Sequence, residues 1–300
     1  MLNNEVNLKQ SVKILLAEII DYAGLFPPSQ LSMAVAVQNY ANYLKSAHSW
    51  MLGRFIVPVA NLDKFRKEAE KYFDGGNPWR LSVIVGENAL GDMEKVNNFN
   101  RKNEGKFVIE TLEIKADSAE FITQINKFLP KNLLVYFEIP PTEILTEFMT
   151  ALAITKTRAK IRTGGVTTDA FPSTDAIIKF MRICIAANVP FKATAGLHHP
   201  LRSMQPMTYE ANAPKGIMHG FLNLFLSAAF LRQNLNNAFV HRLMNETDAK
   251  DFRFEDDKIL WQDHTIDLNT IKLLRERNAV SFGSCSFSEP IEDLQNLGIF

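Results

Sequence analysis

Two lysines, Lys160 and Lys192, carry the first chemistry that can be read from this sequence. They lie in RAKIRTGGVTTDAFPSTDAIIKFMRICIAANVPFKATAGLHHP (158–200), which patterns as strand, helix, strand. Lys160 and Arg162 are two apart on the first strand and share a face; Lys192 and Thr194 do the same on the second. A lysine turned inward is costly unless it is paired or used. An unprotonated lysine amine attacks carbonyl carbon, and a second cation close by favours that neutral form. The plainer reading is an ion-pair network in which Glu138, Glu110 and Asp21 neutralise the two lysines. Both strands run into glycine, at Gly164 and Gly165 and again at Gly196, where a tight turn or a close backbone approach is expected.

The elements that must position these residues alternate along the chain. Apolar segments occur at AEIIDYAGLF (17–26), RFIVPVA (54–60), LSVIVG (81–86), KFVIETLEI (106–114) and LLVYFEIP (133–140). The two lysine strands are the sixth and seventh, and AVSFGSCSF (279–287) is the eighth. Helical patterns separate them: from a Ser29 cap to about Ala47, through NLDKFRKEAEKYF, up to about Asn103, from Ser118 to Phe128, and from Thr142 to about Ala153. Ser173 or Thr174 caps the helix that carries Ile177, Ile178, Met181 and Ile185 between the lysine strands. Eight strand–helix units in this length predict an α/β fold, a (β/α)8 TIM barrel spanning residues 1–300 as one domain. A doubly wound open sheet is the alternative, since alternation alone does not show closure.

Residues 200–265 exceed what one barrel unit needs and read as a helical and hairpin insertion after strand seven. GIMHGFLNLFLSAAFLRQNL (216–235) reads as a helix apolar on most faces, which makes a homo-oligomer plausible. DFRFEDDKILWQDHTIDL reads as a hairpin turning at Asp256-Asp257, with Asp267 capping the last barrel helix. Ser288 and Pro290 open a short terminal helix. The 46% hydrophobic and 22% charged residues suit a soluble globular protein with a sizeable core. A net charge of +0 gives no footprint for nucleic acid or for a membrane surface. Two distant cysteines, Cys184 and Cys285, and a start without a signal-peptide pattern favour a cytoplasmic protein. Cys285 lies between two serines, with no histidine that spacing can assign to it, and reads as small-residue packing.

The strand-end residues resemble the 2-deoxyribose-5-phosphate aldolases and their class I aldolase relatives. Ile20-Asp21 on strand one, Glu138 in LLVYFEIP and Lys160-Ile161-Arg162-Thr163-Gly164 on strand six match in order. Phe191-Lys192-Ala193-Thr194-Ala195-Gly196 on strand seven and the Gly283-Ser284 turn on strand eight follow. The resemblance implies a lyase acting on a small carbonyl or sugar-phosphate-like compound without a cofactor, with room for an anionic group. Lys160 would form the Schiff base and Lys192 would lower its pKa from the free value of about 10.4. Glu110 or Glu138, with Asp21, would handle protons. Arg162, Thr163, Gly164, Thr194, Gly196, His198, Gly283 and Ser284 would line the substrate site.

The sequence departs from that family at five points, one of them the long insertion at 200–265. The acidic pair of the fourth strand is matched only by Glu110, with Glu113 behind it. Tyr22 stands where relatives carry histidine, Arg162 adds a permanent cation, and Glu289 opens the last helix where a phosphate would compete with it. Two other readings stay open. His198-His199, with His219 and Glu210 downstream, would suit a metal-dependent lyase or hydrolase, although adjacent strand side chains point apart. A barrel without catalysis, binding a ligand or partner through its insertion, is the second.

Overall fold

The computed structural model describes residues 8–140 and 145–300. The alternation folds as a closed parallel barrel of eight strands. These are β1 (Ile20–Tyr22), β2 (Leu52–Pro58), β3 (Trp79–Ile84), β4 (Phe107–Lys115), β5 (Leu134–Glu138), β6 (Arg158–Arg162), β7 (Phe191–Thr194) and, last in the chain, β13 (Ala279–Ser284). β13 pairs with both β7 and β1, so the sheet closes and the open-sheet alternative is set aside. The outer helices up to β7 are α1 (Gln10–Leu16), α2 (Met33–Leu44), α3 (Leu62–Ala69), α4 (Ala89–Lys102), α5 (Ala119–Ile125), α6 (Leu145–Thr155) and α7 (Thr174–Ala186). The expected start of α6 at Thr142 lies outside the described residues.

Local chemistry sets the helix starts. Ser118 accepts from Phe121 N–H and Ser173 accepts from Ala176 N–H, so each caps its helix. The Ser29 cap is corrected to Ser32, whose hydroxyl accepts from Val35 N–H. Residues 24–31 close on themselves instead, with Leu31 N–H donating to Gly24 O and Gln30 at a φ of 43° that no helix admits.

The insertion has three parts. A ribbon of β8 (Ser203–Pro206) and β9 (Lys215–Met218) comes first, so the helix expected from residue 216 begins only at Phe221. Next are α8 (Phe221–Arg232) and α9 (Asn237–Met244). Then β10 (Phe252–Phe254), β11 (Lys258–Trp261) and β12 (His264–Asp267) form a three-stranded sheet where a hairpin was expected. Asp267 caps α10 (Leu268–Arg277) through Thr270 N–H, and α11 (Ser288–Asn296) ends the chain.

Helix α8 is buried at every position from Phe221 to Leu231, which its apolar circumference requires. Phe221 stacks on Phe282 of β13 at 4.9 Å, and α7, α9 and α10 cover the other sides. It needs no second copy of the chain to cover it. No helix among the described residues is long and apolar enough to cross a membrane.

One polar side chain ties the parts of the insertion to one another. Asn223, fully buried in α8, accepts from Arg202 N–H at 2.9 Å. Its amide donates to Leu243 O at 2.7 Å and to Glu246 O at 3.0 Å. Gly220 just before it has no room for a side chain, since a Cβ would sit 2.4 Å from Pro200 O. Asn223→Ala leaves buried backbone groups without partners and is expected to cost on the order of 3 kcal/mol. Urea unfolding measures this; an unchanged midpoint would show that the insertion is held by apolar packing alone.

Candidate functional site

The charged residues of the barrel interior form one chain of contacts. Lys192 Nζ lies 2.6 Å from Asp21 Oδ2 and 2.8 Å from Glu113 Oε1. Lys160 Nζ lies 2.6 Å from Glu113 Oε2 and 2.9 Å from Glu138 Oε2. Glu113 is therefore shared by both lysines. Strand register sets the order, because Glu138, Lys160 and Lys192 are direct neighbours across β5, β6 and β7. Hydroxyl and amide donors hold the carboxylates: Ser82 to Glu113 at 2.6 Å, Ser281 to Asp21 at 2.8 Å, and Arg54 N–H to Asp21 at 2.8 Å.

Glu113, and not Glu110, contacts the two lysines, and a bulge is the cause. Phe107 packs against Phe65 of α3, outside the barrel. Uniform alternation along β4 would put Glu113 on that same outer side and Glu110 inside. The pairing passes from Leu81–Ile109 to Ser82–Thr111, leaving Glu110 unmatched. The extra residue reverses the sides, and Glu113 turns inward. Glu110 stays near the start of the strand, 2.9 Å from Arg54 and 2.9 Å from Arg80, with Glu18 completing that ion cluster.

Burial by itself would raise the Asp21 and Glu113 carboxyls. The lysine charges outweigh it, aided by Arg54 beside Asp21, and hold both below the ordinary carboxylate range. Burial would likewise lower Lys192, but Asp21 and Glu113 push it above the ordinary lysine value. Lys192 is thus a fixed ammonium, with the Tyr136 ring 5.6 Å away. Lys160 differs in geometry. Glu113 Oε2, although close to it, accepts no well-aligned hydrogen bond.

Above this network a cavity of about 400 Å³ opens at the strand C-terminal ends. Glu113, Glu138, Lys160, Arg162, Thr194, Gly196, His198 and Gly283 border it. Asp21 and Lys192 do not border it and lie in the buried network just described. Thr163, Gly164 and Ser284, expected at the site, do not border it either. The Thr163 hydroxyl donates to Ala195 O at 2.6 Å. Gly164 lies against Gly196, where a Cβ on Gly164 would be 2.9 Å from the Gly196 Cα. Ser284 Oγ accepts from Ser286 N–H, and its carbonyl accepts from Ala23 N–H. These three shape the loops that carry the site.

The insertion supplies Pro206, Met207, Thr208, Tyr209 and Met218 to the wall, so it is part of the pocket. The histidines separate, as their adjacency implies. His198 Nδ1 meets Glu289 at 2.9 Å, His199 Nδ1 meets Asp293 at 2.6 Å, and His219 Nε2 meets Pro172 O at 2.9 Å. Among the described residues, no three His, Cys, Asp or Glu side chains are grouped to hold a metal ion.

No protein-family model matches the sequence, and no curated protein matches it significantly.

The sign of the pH dependence follows from the shifts. Asp21 and Glu113 are depressed, so their stabilisation is present above the unfolded carboxylate range and is lost as pH falls through it. Lys192 is raised, so its contribution is present below the unfolded lysine value and is lost as pH rises past it. Stability is expected to hold between about pH 5 and pH 10 and to fall on both sides. Glu113→Gln should cost about 3–5 kcal/mol at neutral pH and flatten the acid limb. Denaturant unfolding across pH tests both points; equal acid limbs in the two proteins would contradict the shared-carboxylate account.

Proposed function

We propose that this barrel is a class I aldolase-like lyase that binds a small carbonyl compound as an imine on Lys160. One observation carries the reading: of the two lysines that share Glu113, Lys160 borders the cavity and Lys192 does not. A nucleophile must reach its substrate, whereas a cation that tunes it need not. Lys192, held charged on the same carboxylate, is the second cation beside the proposed nucleophile. Glu138 borders the cavity, contacts Lys160 and is more exposed than Glu113, so it is the more accessible proton acceptor.

In this mechanism the Lys160 amine adds to the carbonyl carbon, and loss of water leaves an iminium. The iminium accepts the electron pair of the neighbouring carbon–carbon bond as that bond breaks, while Glu138 takes the hydroxyl proton of the departing aldehyde. Arg162 and Thr194, neighbours in register one step above the lysines, can hold an anionic group of the substrate. The partner is thus a small carbonyl acid or phosphate, bound without a resident cofactor.

Borohydride reduction in the presence of small aldehydes, ketones and keto acids tests the reading. Intact mass and peptide mapping should place a reduced adduct on Lys160, absent from Lys160→Arg. Lys192→Met should still form it but at least about tenfold more slowly near neutral pH, because the second cation beside the amine is gone. A folded protein that gives no adduct on Lys160 with any carbonyl would sink the proposal.

A further inference from the structure

A second group of reactive side chains faces the same cavity and takes no part in the lysine chemistry. Cys285 follows β13 and is brought beside His198, which follows β7 and is 87 residues away. Its Sγ lies 3.9 Å from Nε2 and 4.0 Å from Nδ1 of the imidazole. Glu289, in the first turn of α11, holds His198 Nδ1 at 2.9 Å. Two hydroxyls complete the cluster. Ser29 donates to the sulfur at 3.1 Å, which explains why it does not cap α2. Tyr209, from the β8–β9 ribbon, donates to Glu289 at 3.1 Å and lies 3.7 Å from the sulfur. Cys285, His198, Tyr209 and Glu289 all border the cavity. Cys184 offers a contrast, since it is fully buried in α7 within the apolar core, its sulfur 3.6 Å from that of Met149.

We propose that Cys285 is a second nucleophile of this cavity, a thiolate paired with the His198 imidazolium and oriented by Glu289, placed to take an electrophilic carbonyl carbon. A cysteine attacks as its thiolate, and a neighbouring histidine positioned by a carboxylate is a way to form one. The surrounding charges agree. Burial opposes both ions, but contact with Cys285 and Glu289 raises His198 to about 9, and contact with His198, Ser29 and Tyr209 lowers Cys285. The titratable groups facing the thiol are His198, Tyr209 and Glu289, with Tyr22 approaching from β1. In the covalent step the sulfur lone pair forms the C–S bond and the carbonyl π pair moves to oxygen. That oxygen takes the Nε2 proton, leaving a neutral hemithioacetal and a neutral imidazole. The step requires nothing of Lys160, so it stands or falls apart from the imine reading.

Iodoacetamide alkylation of the intact protein, followed by peptide mapping across pH, tests the assignment. The Cys285 rate should rise through a midpoint below the free-thiol value of about 8.5, while Cys184 stays unmodified. His198→Asn should return the midpoint to that value or above and slow alkylation at about pH 6.5 at least tenfold. Glu289→Gln should move it part of the way, which guards against a folding defect in one variant. If the cavity excludes the reagent, the ultraviolet absorbance of the thiolate, wild type minus Cys285→Ser, decides instead. A thiolate signal persisting below the free-thiol range supports the pair. A Cys285 that titrates as a free thiol and ignores His198→Asn overturns it.

Discussion

Glu113 is the single side chain on which the barrel interior depends. It is buried among charged side chains, a position that burial alone makes unfavourable, and two lysine nitrogens meet its two oxygens there. Neither lysine can be understood without it. Lys192 has Asp21 as a second partner and is closed in; Lys160 has Glu138 and an open side. One shared carboxylate therefore gives two lysines of the same type different chemical characters. The asymmetry comes from depth in the barrel, set by which neighbours border the cavity.

The barrel was legible because its signal is repeated. Each strand segment carries an apolar run, each helix a periodic face, and no single boundary decides the outcome. Lys160 and Lys192 were legible for a related reason: a charged residue inside an apolar strand is conspicuous. Glu113 was not, because its direction depends on a bulge at Glu110 that no local pattern announces. The Ser29 and Ser32 pair shows the same limit at a helix start. Both are good caps, and the choice is made by Cys285, a residue 256 positions away. Helix α1 was passed over although Val12, Leu15 and Leu16 have helical spacing, because seven residues fall below the length at which periodicity is persuasive.

The cluster around Cys285 lies furthest from what sequence reading can reach. His198, Tyr209 and Glu289 come from a loop after β7, a ribbon of the insertion and the last helix. Their meeting depends on barrel closure, which brings β13 beside β7, and on the ribbon folding back over the strand ends. Residue types gave the raw material: a cysteine between serines, paired histidines, an acidic first turn. Only the closed topology selects which of them touch. His198 and His199 illustrate this, since adjacency makes them look alike while their partners, Glu289 and Asp293, lie one helical turn apart on α11.

The insertion ties these levels together. A helix apolar on all sides has to be enclosed, and α8 is enclosed by α7, α9, α10 and β13. Asn223 fixes that packing to Arg202 at the start of the ribbon, and the ribbon carries Met207 and Tyr209 to the cavity. A demand that begins as hydrophobic burial on one side of the barrel thus ends as the placement of a hydroxyl beside a thiol on its C-terminal face. Residues 200–265 are accordingly one element of the site. Changes in their apolar packing should be felt at Cys285 through Tyr209 before they are felt at Lys160, whose two carboxylate partners belong to β4 and β5.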